Sequence, residues 1–144
     1  MLKKCLKTAL LFFLCLALLI LPQLLGEGLL FDAGETYIFY SGSASSGAQI
    51  TIAEGSAAAQ TKLFVRSRTG ESTSYPQAER AFAQAEKYGA ELLFTESAGG
   101  VTNYYYYSAR LGGAVMLGGY AVNLHVAVRG QGAAVGSPLI FGGY

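Results

Sequence analysis

Two cysteines, one histidine and one aspartate are all that the 144 residues contain of those three types. Cys5 and Cys15 both fall in the first apolar stretch, so residues 27–144 hold no thiol. That part of the chain has no disulfide, no thiolate nucleophile and no thiolate metal site, and its stability must come from packing. The lone histidine, His125, has neither a cysteine nor clustered carboxylates to join it, so no metal and no cofactor are expected. Asp32 is the sole aspartate, and Glu54, Glu71, Glu91 and Glu96 fall at expected strand ends or turns. Nothing in their spacing selects the pair that glycoside hydrolysis requires. Basic residues are scarce as well. Over residues 27–144 seven Lys and Arg meet nine Asp and Glu, a formal charge of −2. A nucleic-acid partner would need a basic stripe, so none is expected.

What is abundant at the front of the chain is apolar sequence. Residues 8–26, TALLFFLCLALLILPQLLG, are 19 residues without a charge, close to the ~20 that cross a bilayer as a helix. Lys3, Lys4 and Lys7 precede this run, while Glu27, Asp32 and Glu35 follow it. That asymmetry predicts a cytoplasmic N-terminus, with the remainder outside. Residues 1–26 are therefore read as a signal-anchor or transmembrane helix, and residues 27–144 as a single extracytoplasmic domain. Only Gly26 and Gly28 offer the small residues that cleavage requires. A single-pass protein of the cell membrane is thus expected, with secretion after cleavage as the alternative.

The domain reads as α+β: one antiparallel sheet packed against a single main helix, in the order strand, helix, four strands. Strands are expected at 36–42, 48–55 and 61–68, the last from the alternation of Leu63 and Val65 with Lys62, Phe64 and Arg66. Residues 69–72, TGES, read as a turn. Ala78, Ala81, Phe82 and Ala85 then recur at helical spacing, which predicts a helix over 76–92 with Pro76 in its first turn, Ser74 near its cap and Gly89 just past its end. Strands follow at 90–96, 102–109, 114–128 and 133–143. Gly118–Gly119 reads as a bulge or bend, and Pro138 as an edge or bulge position.

Residues 104–107 are four consecutive tyrosines. Alternation along a strand puts Tyr104 and Tyr106 on one face and Tyr105 and Tyr107 on the other. One reading is sheet architecture with cross-strand aromatic pairs. The other is an aromatic surface for a glycan or an extended peptide. Along 120–128, Val122, Leu124, Val126 and Val128 share a core face, with Asn123, His125, Ala127 and Arg129 opposite. Tyr105, Tyr107, Arg110, Asn123, His125 and Arg129 are accordingly the candidate binding residues. As a general base, His125 would need a nucleophile and an orienting acid beside it.

Three short motifs carry a family resemblance: Tyr105–Tyr107–Ser108, then Val122–Asn123–Leu124 with Ala127, then Gly136–Ser137–Pro138–Leu139–Ile140 with Tyr144. Residues 103–144 so resemble the C-terminal part of the YwmB-like proteins of spore-forming Firmicutes, small exported or membrane-anchored proteins of unknown role. Ala109 stands where that pattern has proline. The resemblance implies a sheet-and-helix unit similar to the TATA-box-binding fold, and it supplies no catalytic residues and no inference of DNA binding. The expected function is a membrane-anchored, extracytoplasmic, non-catalytic binding module meeting an envelope protein or a cell-wall component. The alternative is a cell-envelope hydrolase using His125 or a glutamate pair.

Overall fold

The computed structural model describes residues 2–24, 28–45 and 47–142. Helix α1, Leu2–Leu24, opens the chain. Among the described residues no helix is long and apolar enough to cross a membrane, which overturns the expected anchor and with it the single-pass location. The uncharged run begins after Lys7, and the helix holds its residues 8–24. Those residues rise about 26 Å at 1.5 Å per residue, short of the ~30 Å hydrocarbon core. Gly26 and Glu27, invoked for cleavage and charge asymmetry, lie outside the described residues, as does Tyr144 of the third motif.

The rest is α+β. Strands β1 (Thr36–Ser41), β2 (Gln49–Glu54), β3 (Arg68–Tyr75), β4 (Glu91–Ala98), β5 (Val101–Tyr107), β8 (Leu124–Arg129) and β9 (Gly132–Ser137) form one antiparallel sheet in the order β2-β1-β3-β9-β8-β5-β4. Strands β6 (Val115–Leu117) and β7 (Tyr120–Val122) form a separate hairpin. Gly118 and Gly119 are its turn, with φ of +57° and +87°. Two consecutive positive φ values make a tight two-residue reversal where a bulge was expected, and glycine adopts them without strain.

Helix α3, Ala78–Lys87, lies on one face of the sheet and buries Ala81, Gln84 and Ala85. It is shorter than the expected 76–92 because Ser74 and Tyr75 remain in β3. Gly89, φ +56°, ends it as expected, its N–H donating to Glu86 O. Alanine on this face lets the helix sit close to Tyr37, Phe39, Tyr75, Val126, Ala133 and Val135 of the sheet. Residues 28–34 are strapped over the same side. Phe31 is fully buried, and Tyr37 and Tyr88 donate their hydroxyls to Phe31 O and Leu30 O at 2.6 and 2.5 Å.

Two expectations fail together. Residues 61–68 are not a strand. Helix α2, Gly55–Phe64, occupies their first half, so the domain has a second helix. Ala57–Ala58–Ala59 favour a helix strongly, and Ala58 and Lys62, four apart, both face inward. Residues 69–72 are not a turn but lie within β3, between β1 and β9. Turn-forming residue types are kept in this strand because each buried polar group finds a partner. Ser72 Oγ meets Tyr40 Oη at 2.9 Å, Thr73 Oγ1 donates to Thr36 O, and Glu71 Oε1 accepts the Leu30 N–H. The last strand also stops early, at Ser137. Pro138 follows a central strand rather than an edge, and residues 138–142 fold back across the second face of the sheet. There Phe141 meets Tyr40 edge-on at 5.1 Å.

Candidate functional site

Strand β5 distributes its tyrosines as alternation requires. Tyr104 and Tyr106 turn toward α3, Tyr104 meeting the Phe82 ring edge-on at 5.0 Å and Tyr106 entering the core. Tyr105 and Tyr107 face the other way. In β4 the register shifts between Leu92 and Phe94. The extra residue brings Phe94, rather than Leu93, opposite Tyr105, while His125 of β8 lies opposite Tyr105 on its far side. The three rings stack at 4.6 Å on each side, tilted by 26° and 17°. Tyr120 of β7 extends the row from Phe94 at 5.4 Å. Each such contact is worth ~0.5–1.5 kcal/mol beyond burial, so the row rigidifies this corner of the sheet.

His125 is locked inside that row, only 7% exposed. Its Nδ1 accepts the Ile140 N–H at 3.3 Å. An accepting Nδ1 places the proton on Nε2, which donates to Asn103 Oδ1 at 2.9 Å. Burial pushes its pKa down to about 4, so the ring is neutral at pH 7. Both nitrogens are engaged, and neither is left to take a proton from a substrate. Beside it, Tyr105 Oη donates to Glu96 Oε2 at 3.3 Å, and burial, then the Glu96 charge, raises the Tyr105 pKa.

Asn123 and Arg110 have another task. The Asn123 amide is buried; it donates to Ser108 O at 2.8 Å and Leu111 O at 2.9 Å, and its Oδ1 accepts the Ser108 N–H at 2.7 Å. Arg110 donates to Lys87 O at 3.1 Å, capping the last turn of α3. Together they fix the 108–111 turn to the helix end. Asn123→Ala strands three backbone groups and lowers stability by about 2–3 kcal/mol, measured as a shift in the urea midpoint. A loss below about 0.5 kcal/mol, the range of ordinary surface changes, would contradict this role. Arg129 stands apart, exposed at the far end of β8 opposite Gly132 and Val101.

Of the six sequence candidates, then, the structure stacks Tyr105 on His125, places Tyr107 two residues along on the same face, assigns Asn123 and Arg110 to a turn, and sets Arg129 elsewhere. The face opposite Val122, Leu124 and Val126 supplied the candidates Asn123 and His125, and both are buried there with Ala127. Tyr107 and Tyr120 are the rings that emerge, 42% and 49% exposed. Tyr120 was missed because alternation along 114–128 was read as one strand, whereas the Gly118–Gly119 turn folds it over Phe94.

Sequence reasoning also missed a groove of 580 Å³ on the helix side, lined by Arg66, Arg68, Glu71, Gly112 and Ser137 among others. At its base Lys62 Nζ lies 2.6 Å from Glu71 Oε2 and donates to Gly28 O at 2.6 Å. Glu71 Oε2 is held by this charge contact, with no aligned hydrogen bond. Arg68 donates to Lys62 O and Val65 O. These charges hold chain segments together. Among the described residues no three His, Cys, Asp or Glu side chains gather to hold a metal ion. Comparison with protein-family models, with curated proteins and with solved structures found no match for this chain.

Proposed function

We propose that the chain is a non-catalytic binding module that holds a neutral glycan against Tyr107 and Tyr120. One observation carries this reading: two half-exposed tyrosines lie on one face of a sheet corner that a stacked aromatic row makes rigid. A flat apolar ring with a wet hydroxyl suits stacking on a sugar ring. Glu91, opposite Tyr107, and Glu96, beside Tyr105, accept hydroxyl donors and disfavour an anionic ligand. The histidine version of the hydrolase alternative gains no support, since both His125 nitrogens are engaged. Kinship with the YwmB-like proteins belongs to the same proposal and rests on three motifs that fall in β5, at the β7–β8 junction and in the β9 tail.

The test is an amide NMR titration with soluble cell-wall glycan fragments. Saturable shifts are expected at 105–108 and 115–122. Tyr107→Ser and Tyr120→Ser should each weaken binding about tenfold, an affinity loss of ~1.4 kcal/mol, while stability moves by less than ~0.5 kcal/mol for Tyr107→Ser, as for other surface substitutions, and by ~0.5–1.5 kcal/mol for Tyr120→Ser, which also loses the Phe94 contact. A titration without saturable shifts, or one unaffected by either substitution, sinks the reading.

A further inference from the structure

The sheet has two edges, β2 and β4, and they are built differently. An unpaired edge is a template for another strand unless it is blunted by charge, a bulge or a cover. Strand β4 carries Glu91 and Glu96, has a register shift at Leu92–Phe94, and is flanked by Tyr120 of the hairpin. Strand β2 has none of these guards. Its register with β1 runs unbroken from Thr36↔Glu54 to Ser41↔Gln49, and no charge precedes Glu54. Ile50 and Ile52 project from one face, 52% and 65% exposed. Over the other face, Phe64 at the end of α2 is 77% exposed and shares a cleft with Gln49 and Thr51.

We propose that β2 is a self-association edge, and that two copies of this chain pair their β2 strands antiparallel about a dyad through Thr51. The choice of a second copy follows from the register. With Thr51 at the dyad, Ile50 of one copy falls opposite Ile52 of the other, and the reverse. Four isoleucines then meet on one face, and the two Phe64 rings flank the dyad on the other. Gln49 falls opposite Ala53, and Glu54 opposite Ala48, so no like charges oppose each other. A β4 pair centred on Leu93 and Phe94 would instead set Glu91 against Glu96. The exposed parts of Ile50, Ile52 and Phe64 from two copies, at ~150 Å² per large apolar side chain, come to roughly 600 Å². The backbone ladder brings the contact to the order of 1,000 Å² that a specific interface requires.

The test uses the full chain with Cys5→Ser and Cys15→Ser, so that an introduced thiol is the only one. Opposed Cα atoms in an antiparallel pair lie ~4.5–5.5 Å apart, within disulfide range. Thr51→Cys should therefore form a covalent dimer under mild oxidation, while Ser97→Cys on β4 stays monomeric. Adding Ile52→Lys places like charges beside the dyad and should lower the cross-linked fraction roughly tenfold, with the melting temperature unchanged. A Thr51→Cys chain that remains monomeric overturns the proposal and leaves the edge to a foreign strand. Equal cross-linking at Ser97→Cys, or cross-linking indifferent to Ile52→Lys, also overturns it by assigning association to another surface.

Discussion

Lys62→Met lowers the stability of the fold by about 3–5 kcal/mol, the penalty typical of breaking a buried ion pair from one side. Lys62 and Glu71 are both almost fully buried, and Glu71 Oε2 has Lys62 Nζ alone, at 2.6 Å, to meet its charge. Removing the ammonium leaves that carboxylate uncompensated under α2. It also frees Gly28 O, which Lys62 holds at 2.6 Å, so the 28–31 segment loosens at the same time. The pair itself adds little net stability, because removing both charges from water is costly. Lys62→Met combined with Glu71→Leu should therefore recover most of the loss. The remaining deficit is about 1 kcal/mol for the Leu30 N–H that Glu71 Oε1 accepts. Urea midpoints followed by circular dichroism decide the matter. A single variant within about 1 kcal/mol of the parent, the level of an average substitution, would show that the pair is not the lock described here.

The second large effect is with pH. The unfolded chain's histidine titrates near 6.5, whereas burial holds the folded ring's pKa at about 4. Above pH 6.5 both states are neutral and the fold loses nothing. Between 6.5 and 4 the unfolded chain takes up a proton that the folded chain refuses, so stability falls as pH falls. The loss is about 2 kcal/mol from pH 7.5 to 5 and nears about 3 kcal/mol at pH 4, below which it levels off. The geometry agrees: a protonated Nδ1 would point a second hydrogen at the Ile140 N–H. His125→Phe keeps a ring in the stack and should flatten the slope between pH 7.5 and 5. A slope equal to that of the parent would place the titration elsewhere.

Where periodicity reports burial, the sequence was readable. Helix α3 shows it through Ala78, Ala81, Phe82 and Ala85, and β8 through Leu124, Val126 and Val128. Those signals hold because one side of each element meets the core. Strand β3 is central yet carries Thr69, Gly70, Glu71, Ser72, Thr73 and Ser74, residues that mark a turn wherever water is near. Its burial depends on hydrogen bonds to Tyr40, Thr36 and Leu30, all distant in sequence. Helix α2 was hidden by a chance alternation at residues 62–66, although three alanines preceded it. The candidate site divides in the same way. Face assignment of the four tyrosines needed only strand geometry. That Tyr105 is enclosed and Tyr120 emerges depended on the bulge at Leu93, the Gly118–Gly119 reversal and the returning tail, none of which alternation reveals. Asn123 offered an amide that a ligand could use, and the local turn had already claimed it.

The place of β9 in the sheet has a consequence for the life of the chain. This strand is the last of the sheet in chain order, yet it lies between β3 and β8 and, among the described residues, is the only strand joining the β2-β1-β3 half to the β8-β5-β4 half. While translation proceeds, each half has one open side and α3 has no completed floor to rest on. The sheet can close only once Ser137 has left the ribosome, and the tail that seals His125 follows it. The sheet is therefore completed only after residues 132–137 are made, and a nascent chain halted before residue 132 carries two separate sheet edges in need of protection.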